Sequence, residues 1–235
     1  MSNERRTPIN LVVLGAPGAG KGTQAVDFAR RHRIPKISTG DILRDAVQRR
    51  SELGQRTKEV MDTGGLVADE LMVAIVRERL TRQDSADGWV LDGFPRTVAQ
   101  ATALDEITVG QGVLIVVDIS VPDDALITRL ARRRVCGQCG DATSVAAGEA
   151  VTRCARCGGE LVLRSDDTAA VVRERLRVYA EATKPLIYYY ASRLTFRAID
   201  GQQSQPAVAA ALTAAVDDVL AAVSVRISVS EGAAG

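Results

Sequence analysis

The chain has 235 residues, 46% hydrophobic and 25% charged, with a formal net charge of +1. That balance fits a soluble globular protein, and near-neutrality removes any global electrostatic case for a nucleic-acid or membrane-surface partner. The longest unbroken aliphatic run, Val113 to Val117, is too short to span a bilayer, and the opening MSNERRTPINLVVLG is no secretory signal, so a cytoplasmic chain without membrane contact is expected.

Five apolar runs alternate with helical patterns: INLVVL (9–14), a weaker IPKI (34–37), WVLD (89–92), VLIVVDI (113–119) and FRAI (196–199). Near-continuous β-branched runs between helices indicate a parallel sheet covered on both faces, hence an α/β fold. The intervening segments are amphipathic; in DELMVAIVRERL, Leu71, Ile75, Val76 and Leu80 share a face. Two segments break the alternation: 40–68 reads as helices without a strand, and 135–165 as a Gly-rich loop carrying the cysteines. Both read as lobes inserted into the core. The last dozen residues, SVRISVSEGAAG, are expected to form a loosely held tail.

The first strand runs into GAPGAGKGT and then a helical pattern. Gly15, four further residues, Gly20 and Lys21 match a phosphate-binding loop in the strand–loop–helix context it requires, and Gly18, Ala19, Gly22 and Thr23 complete its wall. Glycines let backbone N–H groups converge on an anion, and the helix N-terminus adds its dipole. Lys21 would lie against a transferring phosphoryl group. Gly22 stands where a Ser or Thr hydroxyl usually meets magnesium, so carboxylates are expected to hold the metal through its waters. GKGTQA also fits the looser dinucleotide pattern with Asp41 downstream, but five residues separate Gly20 from Leu14, too many for that fold.

Next come ISTGDILR (37–44) and WVLDGFPRTVAQ (89–100), each following a strand. With GAPGAGKGT, in this order and spacing, they resemble the adenylate kinases within the nucleoside monophosphate kinase family, over residues 9 to 203 or so. The resemblance implies a P-loop three-layer α/β/α core with a five-stranded parallel sheet over 1–37, 69–131 and 168–235. It also implies a helical monophosphate-binding lobe over 38–68 and a lid over 132–167. The implied reaction is reversible phosphoryl transfer from MgATP to AMP, giving two ADP. A different donor such as GTP is the nearest alternative.

A phosphate acceptor is already a nucleophile, so the site needs positioning, charge neutralisation and dryness rather than a base. By resemblance, Arg44 and Arg96 clamp the acceptor phosphate with bidentate geometry that lysine lacks, and Thr39 and Gln100 face the acceptor base. Gly65, Leu66 and Val67 lie beside the acceptor adenosine, and the turn Gly93, Phe94, Pro95 positions Arg96. Asp92 and Asp41 are the magnesium-site carboxylates by the same resemblance; read alone, Asp41 also suits a helix cap.

ALITRLARRR puts Arg129, Arg132 and Arg133 on one helical face, ordinarily a solvated one. The family carries arginines at both edges of its lid, which here are Arg129 and Arg133 on entry and Arg164 and Arg175 on exit. These would contact the donor and the moving phosphoryl, with Asp166 and Asp167 orienting them; Arg173 aligns too but is not expected to be catalytic.

Between those edges stand Cys136, Cys139, Cys154 and Cys157, all the cysteines of the chain. Two Cys-x-x-Cys pairs suit a closed tetrahedral zinc site, structural rather than catalytic, because protein fills all four positions. A redox disulfide pair and a nucleic-acid-binding zinc ribbon are the alternatives; the ribbon reading lacks the aromatics such a surface uses. Where the family's zinc lids usually carry an aromatic near the donor base, this chain has Thr143 and Ser144. His32 reads as a helix-end surface residue, Tyr188 to Tyr190 as packing against the sheet, and Gly201 to Gln203 as backbone contacts to the donor base. A monomer is expected.

Overall fold

The computed structural model describes residues 7–145, 149 and 151–232. In chain order the elements are β1 (Ile9–Leu14), α1 (Lys21–His32), β2 (Lys36–Ser38), α2 (Thr39–Gln48), α3 (Glu52–Thr63), α4 (Asp69–Leu80), β3 (Gly88–Asp92), α5 (Val98–Thr108), β4 (Val113–Ser120) and α6 (Asp123–Arg132). Then follow β5 (Arg133–Cys136), β6 (Ala142–Ser144), β7 (Leu161–Val162), α7 (Ala169–Val178), a π-turn (Tyr179–Thr183), α8 (Pro185–Ala191), β8 (Phe196–Asp200) and α9 (Gln205–Gly232).

Five strands form one sheet in the order β2-β3-β1-β4-β8, parallel at every pairing. All five apolar runs read from the sequence are therefore strands, and the central ones are buried on both faces, which is why they lack polar alternation. On one face Leu11, Val13, Val117 and Ile119 pack against Phe28 of α1 and against Val208, Leu212 and Val216 of α9. On the other, Val12, Leu91 and Val116 pack against Val76, Leu104, Leu186 and Tyr190. Three layers result, as expected for the α/β class.

Several local readings shift. The buried stripe of α4 is Met72, Val76 and Leu80, with Ile75 partly buried beside it, so Leu71 sits at the margin. Helix α9 runs on to Gly232, taking in most of the segment expected to be a tail. Its span Gln205–Val225 is long and apolar enough to cross a membrane by composition alone, yet its Val208, Leu212, Val216 and Val219 are core residues. His32 stacks on Phe28 with ring centroids 4.0 Å apart, and of the three tyrosines Tyr190 is core while Tyr188 is exposed.

The two interruptions sit at the same end of the sheet. Helices α2 and α3 pack on each other beyond β2, without a strand. The cysteine segment is more regular than its composition suggests: β5 pairs antiparallel with β6 and with β7, making a second, three-stranded sheet.

Candidate active site

Strand β1 delivers the chain into the glycine loop beyond its carboxyl end, the crevice position where open α/β sheets place ligands. Gly15 has φ 138°, and a Cβ there would fall 2.7 Å from the Ile119 carbonyl oxygen, so no other residue fits. Gly20, at φ 97°, precedes α1 without a side-chain cap, so the first-turn N–H groups of α1 face the loop. The Lys21 ammonium curls over the loop, donating to the carbonyl oxygens of Gly15 (2.7 Å) and Ala16 (2.9 Å). Burial lowers its pKa to about 8; Asp92 opposes the drop, while Arg96, Arg175 and Arg133 add to it. The loop lysine thus feels cations from three other elements. A Cβ on Gly22 would stand 3.2 Å from Asp92 Oδ2, so the missing hydroxyl is matched by a carboxylate close to the same spot.

A second cavity opens beside this loop. Thr39, Arg44, Gly65, Leu66 and Val67 line it from the α2–α3 side, and Gly93, Arg96 and Gln100 from the β3–α5 turn. Arg175 and Asp166 close it. Thr39 is 1% exposed and its Oγ1 donates to the Gly93 carbonyl at 2.8 Å. Arg96 Nε donates to that same carbonyl at 2.9 Å, and burial lowers this guanidinium to about 10. Phe94 and Pro95 are buried behind the turn, holding Arg96 at the wall without lining the cavity themselves.

Ser38, not Asp41, caps α2: its Oγ accepts the Asp41 N–H at 3.2 Å. The Asp41 carboxylate instead takes Lys36 Nζ on Oδ2 (2.7 Å) and Arg44 on Oδ1 (2.5 Å), which keeps it ionised far below the usual carboxylate range against the cost of burial.

Two of the arginines flanking the cysteine segment, Arg133 and Arg175, converge on one buried carboxylate, Asp167. Arg133 makes a bidentate pair with Asp167, through Nε at 2.7 Å and through its second nitrogen. Arg175 reaches Asp166 Oδ2 at 2.9 Å and Asp167 Oδ1 at 3.1 Å. Arg164 has a buried Nε without a hydrogen-bond partner, and burial, with Arg44 and Arg133 nearby, lowers its guanidinium to about 10. Clustered, mutually repelling guanidiniums with unspent donors are a receptor for a polyanion. Arg129 points elsewhere, donating to the Gly201 carbonyl at 2.8 Å in the turn after β8.

The four cysteine sulfurs lie within 4.8 Å of one another, and none is in a disulfide. Cys136 and Cys157 are 3.4 Å apart, Cys139 and Cys154 3.7 Å. Zinc–sulfur bonds of about 2.3 Å in a tetrahedron give sulfur–sulfur edges of about 3.8 Å, so the donor set fits zinc. The N–H groups of Gln138 and Cys139 point at Cys136 Sγ, each at 3.4 Å, as a thiolate ligand wants. A Cβ on Gly159 would press within 2.8 Å of the same sulfur, so the turn leaves that space to the sulfur cluster.

The family model for adenylate kinase matches residues 13–195. The adenylate kinase of Moorella thermoacetica is 48% identical over 208 residues, covering 87% of this chain and 96% of that protein. The chain belongs to the adenylate kinase family. The adenylate kinases of Archaeoglobus fulgidus (46% over 197 residues, 82% of this chain and 91% of that one) and Kosmotoga olearia (46% over 204 residues, 85% and 95%) show the same breadth.

Within this adenylate kinase frame, the structure gathers Lys21, Arg44, Arg96, Arg133, Arg164 and Arg175 into one interacting field. Arg173 is exposed. Thr143 on β6 and Gln203 after β8 are exposed and do not line the cavity. Two residues went unread in the sequence. Lys36 was hidden in a weak strand pattern, and Asp69, whose carboxylate accepts Gln100 Nε2 and Thr97 Oγ1, looked like an ordinary acidic first turn.

Proposed function

We propose that this chain carries out reversible phosphoryl transfer from MgATP to AMP, giving two ADP. The observation that supports the reading is the shared field of the P-loop lysine and the cavity arginines, which would draw a donor phosphate and an acceptor phosphate to one point. An AMP phosphate bound by Arg44 and Arg96 is already a competent nucleophile, and no general base is required. Lys21, with the N–H groups of Gly15, Gly18, Ala19, Gly20, Gly22 and Thr23, would hold the donor phosphates. Arg133, Arg164 and Arg175 would neutralise charge on the moving phosphoryl, and preorganised guanidiniums do so without reorganisation during the step. Arg129 and the Gly201–Gln203 turn would flank the donor base, with Thr143 above it.

Magnesium arriving with ATP would supply charge neutralisation to the phosphates, and Asp92 and Asp41 would orient its waters. Zinc on the four cysteines would hold the lid segment, 132–167, as one body that excludes water, and 38–68 would act as the acceptor lobe. A dry site favours transfer over hydrolysis. Thr39 and Gln100 would read the AMP base. We further read the enzyme as a cytoplasmic monomer without nucleic-acid or membrane partners, which sedimentation and cell fractionation would check.

The test is product formation by chromatography, with MgATP or MgGTP offered against AMP, GMP, CMP and UMP. ADP forming from ATP plus AMP alone is the expected result. Equal transfer to another acceptor, or none to AMP, would overturn the reading.

A further inference from the structure

We infer that Asp69 is a positioning residue that makes the enzyme select a 6-aminopurine over a 6-oxopurine acceptor, by fixing which way round the Gln100 amide stands. The inference rests on the assignment of Gln100 to the acceptor base and adds to it a residue outside the cavity.

Gln100 is 2% exposed yet lines the acceptor cavity, and both ends of its amide are tied. Its Oε1 accepts the Arg96 backbone N–H at 2.7 Å, and its Nε2 donates to Asp69 Oδ1 at 2.7 Å. Amide orientation is ordinarily ambiguous, but these partners remove the ambiguity. A backbone N–H can only be received by the amide oxygen, and an ionised carboxylate can only receive from the amide nitrogen. Asp69 is itself fixed, because its Oδ2 accepts Thr97 Oγ1 at 2.8 Å, and Thr97 Oγ1 accepts the Gln100 N–H at 3.2 Å as the cap of α5.

A glutamine amide has two donor hydrogens and two acceptor lone pairs. With one of each engaged, one N–H and one lone pair remain, in a set order along the amide. That order matches a purine edge with an amino donor beside a ring-nitrogen acceptor, as in adenine. Hypoxanthine reverses the edge, placing a carbonyl acceptor beside a ring N–H. To meet it the amide must turn over, setting its oxygen against the Asp69 carboxylate and its NH2 against the Arg96 N–H. Buried polar groups left facing like partners are what makes hydrogen-bonded selection steep. Asp69 does not line the cavity, so it acts only through Gln100.

The experiment compares kcat/KM for AMP and for inosine monophosphate, with MgATP as donor, in the full-length protein and in Asp69→Asn. The new amide can set its oxygen toward Gln100 with its NH2 on Thr97 Oγ1, or its NH2 toward Gln100 with its oxygen accepting from Thr97. Either end of Gln100 can then be met, so the AMP-to-IMP preference is expected to fall about tenfold, with KM for MgATP unchanged. Asp69→Ala should give the same loss of preference if the asparagine variant folds poorly. A preference that survives both changes, or AMP and IMP rates that fall in equal proportion, would show Asp69 to be a packing residue and overturn the inference. Gln100→Ala separates the two readings. If it leaves the AMP-to-IMP preference intact, the assignment of Gln100 to the base has failed; if it abolishes the preference while the Asp69 variants retain it, only the Asp69 inference has failed.

Discussion

Lys21 is charged in a place that resists charge. Burial and three neighbouring guanidiniums bring its pKa to about 8, while in an unfolded chain it would keep the ordinary value of 10.5. The folded form therefore binds fewer protons than the unfolded form between about pH 8 and 10.5, so the cost of the buried ammonium is fully present below pH 8 and is relieved as pH rises through that window. Lys21→Met should consequently raise the melting temperature of the nucleotide-free protein at pH 7 while abolishing transfer. A donor triphosphate reverses the local field and pulls the pKa back up. Calorimetry at pH 8.5 in buffers of differing ionisation heat should then report proton uptake of roughly three-quarters of a proton per ATP, vanishing below pH 7. Uptake that is equal at both pH values would show that Lys21 is not the group sensed. The glycines, the lysine and the arginines were legible in the sequence because phosphate chemistry demands particular residue types at fixed spacing. Asp69 and Lys36 were not legible, since a helix-start acid and a strand lysine look alike whether they are solvated or tied to Gln100 and Asp41.

At the scale of elements, the parallel sheet could be read because the central strands β1, β3 and β4 are buried and apolar along nearly their whole length, while the edge strands β2 and β8 carry Lys36 and Arg197 in shorter runs. What holds the helices to each other could not. The Asp105 carboxylate at the end of α5 takes both terminal nitrogens of Arg193 at 2.7 Å and the Tyr189 hydroxyl at 2.7 Å, while the Arg193 guanidinium lies 4.7 and 4.6 Å from the Tyr189 and Tyr190 ring centroids. This clamp joins α5 to the end of α8 across a sequence separation of 88 residues, which no local pattern encodes. It is partly exposed, so Asp105→Ala is expected to cost about 2 kcal/mol, or roughly 5 °C in melting temperature. The clamp lies away from the acceptor cavity, so kcat and both KM values should stay within twofold of the parent. A large loss of activity at unchanged stability would mean that α5, and with it Gln100, is positioned by this clamp and not by its own packing.

For the whole molecule, the contrast between the two sheets matters most. The parallel sheet is clad by two apolar clusters; the antiparallel sheet of β5, β6 and β7 has almost no core, its β6 being exposed throughout. Among the described residues, the buried hydrophobic positions there are Val145 and two of the four cysteines, Cys136 and Cys154. A segment that buries so little cannot hold one shape by packing, so a metal on its four sulfurs would supply the missing constraint. The sequence showed the four cysteines but not the strands, because short exposed strands need neither alternation nor β-branched runs. The purified protein is expected to carry about one zinc per chain by elemental analysis. Cys136→Ser removes the most enclosed ligand and should lower the melting temperature, while leaving much of the activity at low temperature, since no thiolate enters the chemistry. Chelation of the parent protein should reproduce the same shift, and added zinc should reverse it. Zinc-free protein that melts at the same temperature as the parent would sink the metal assignment and leave the four thiols to be explained by redox chemistry instead. A Cys136→Ser variant stable but inactive at low temperature would place the lid's rigidity, rather than its mere folding, in the transfer step.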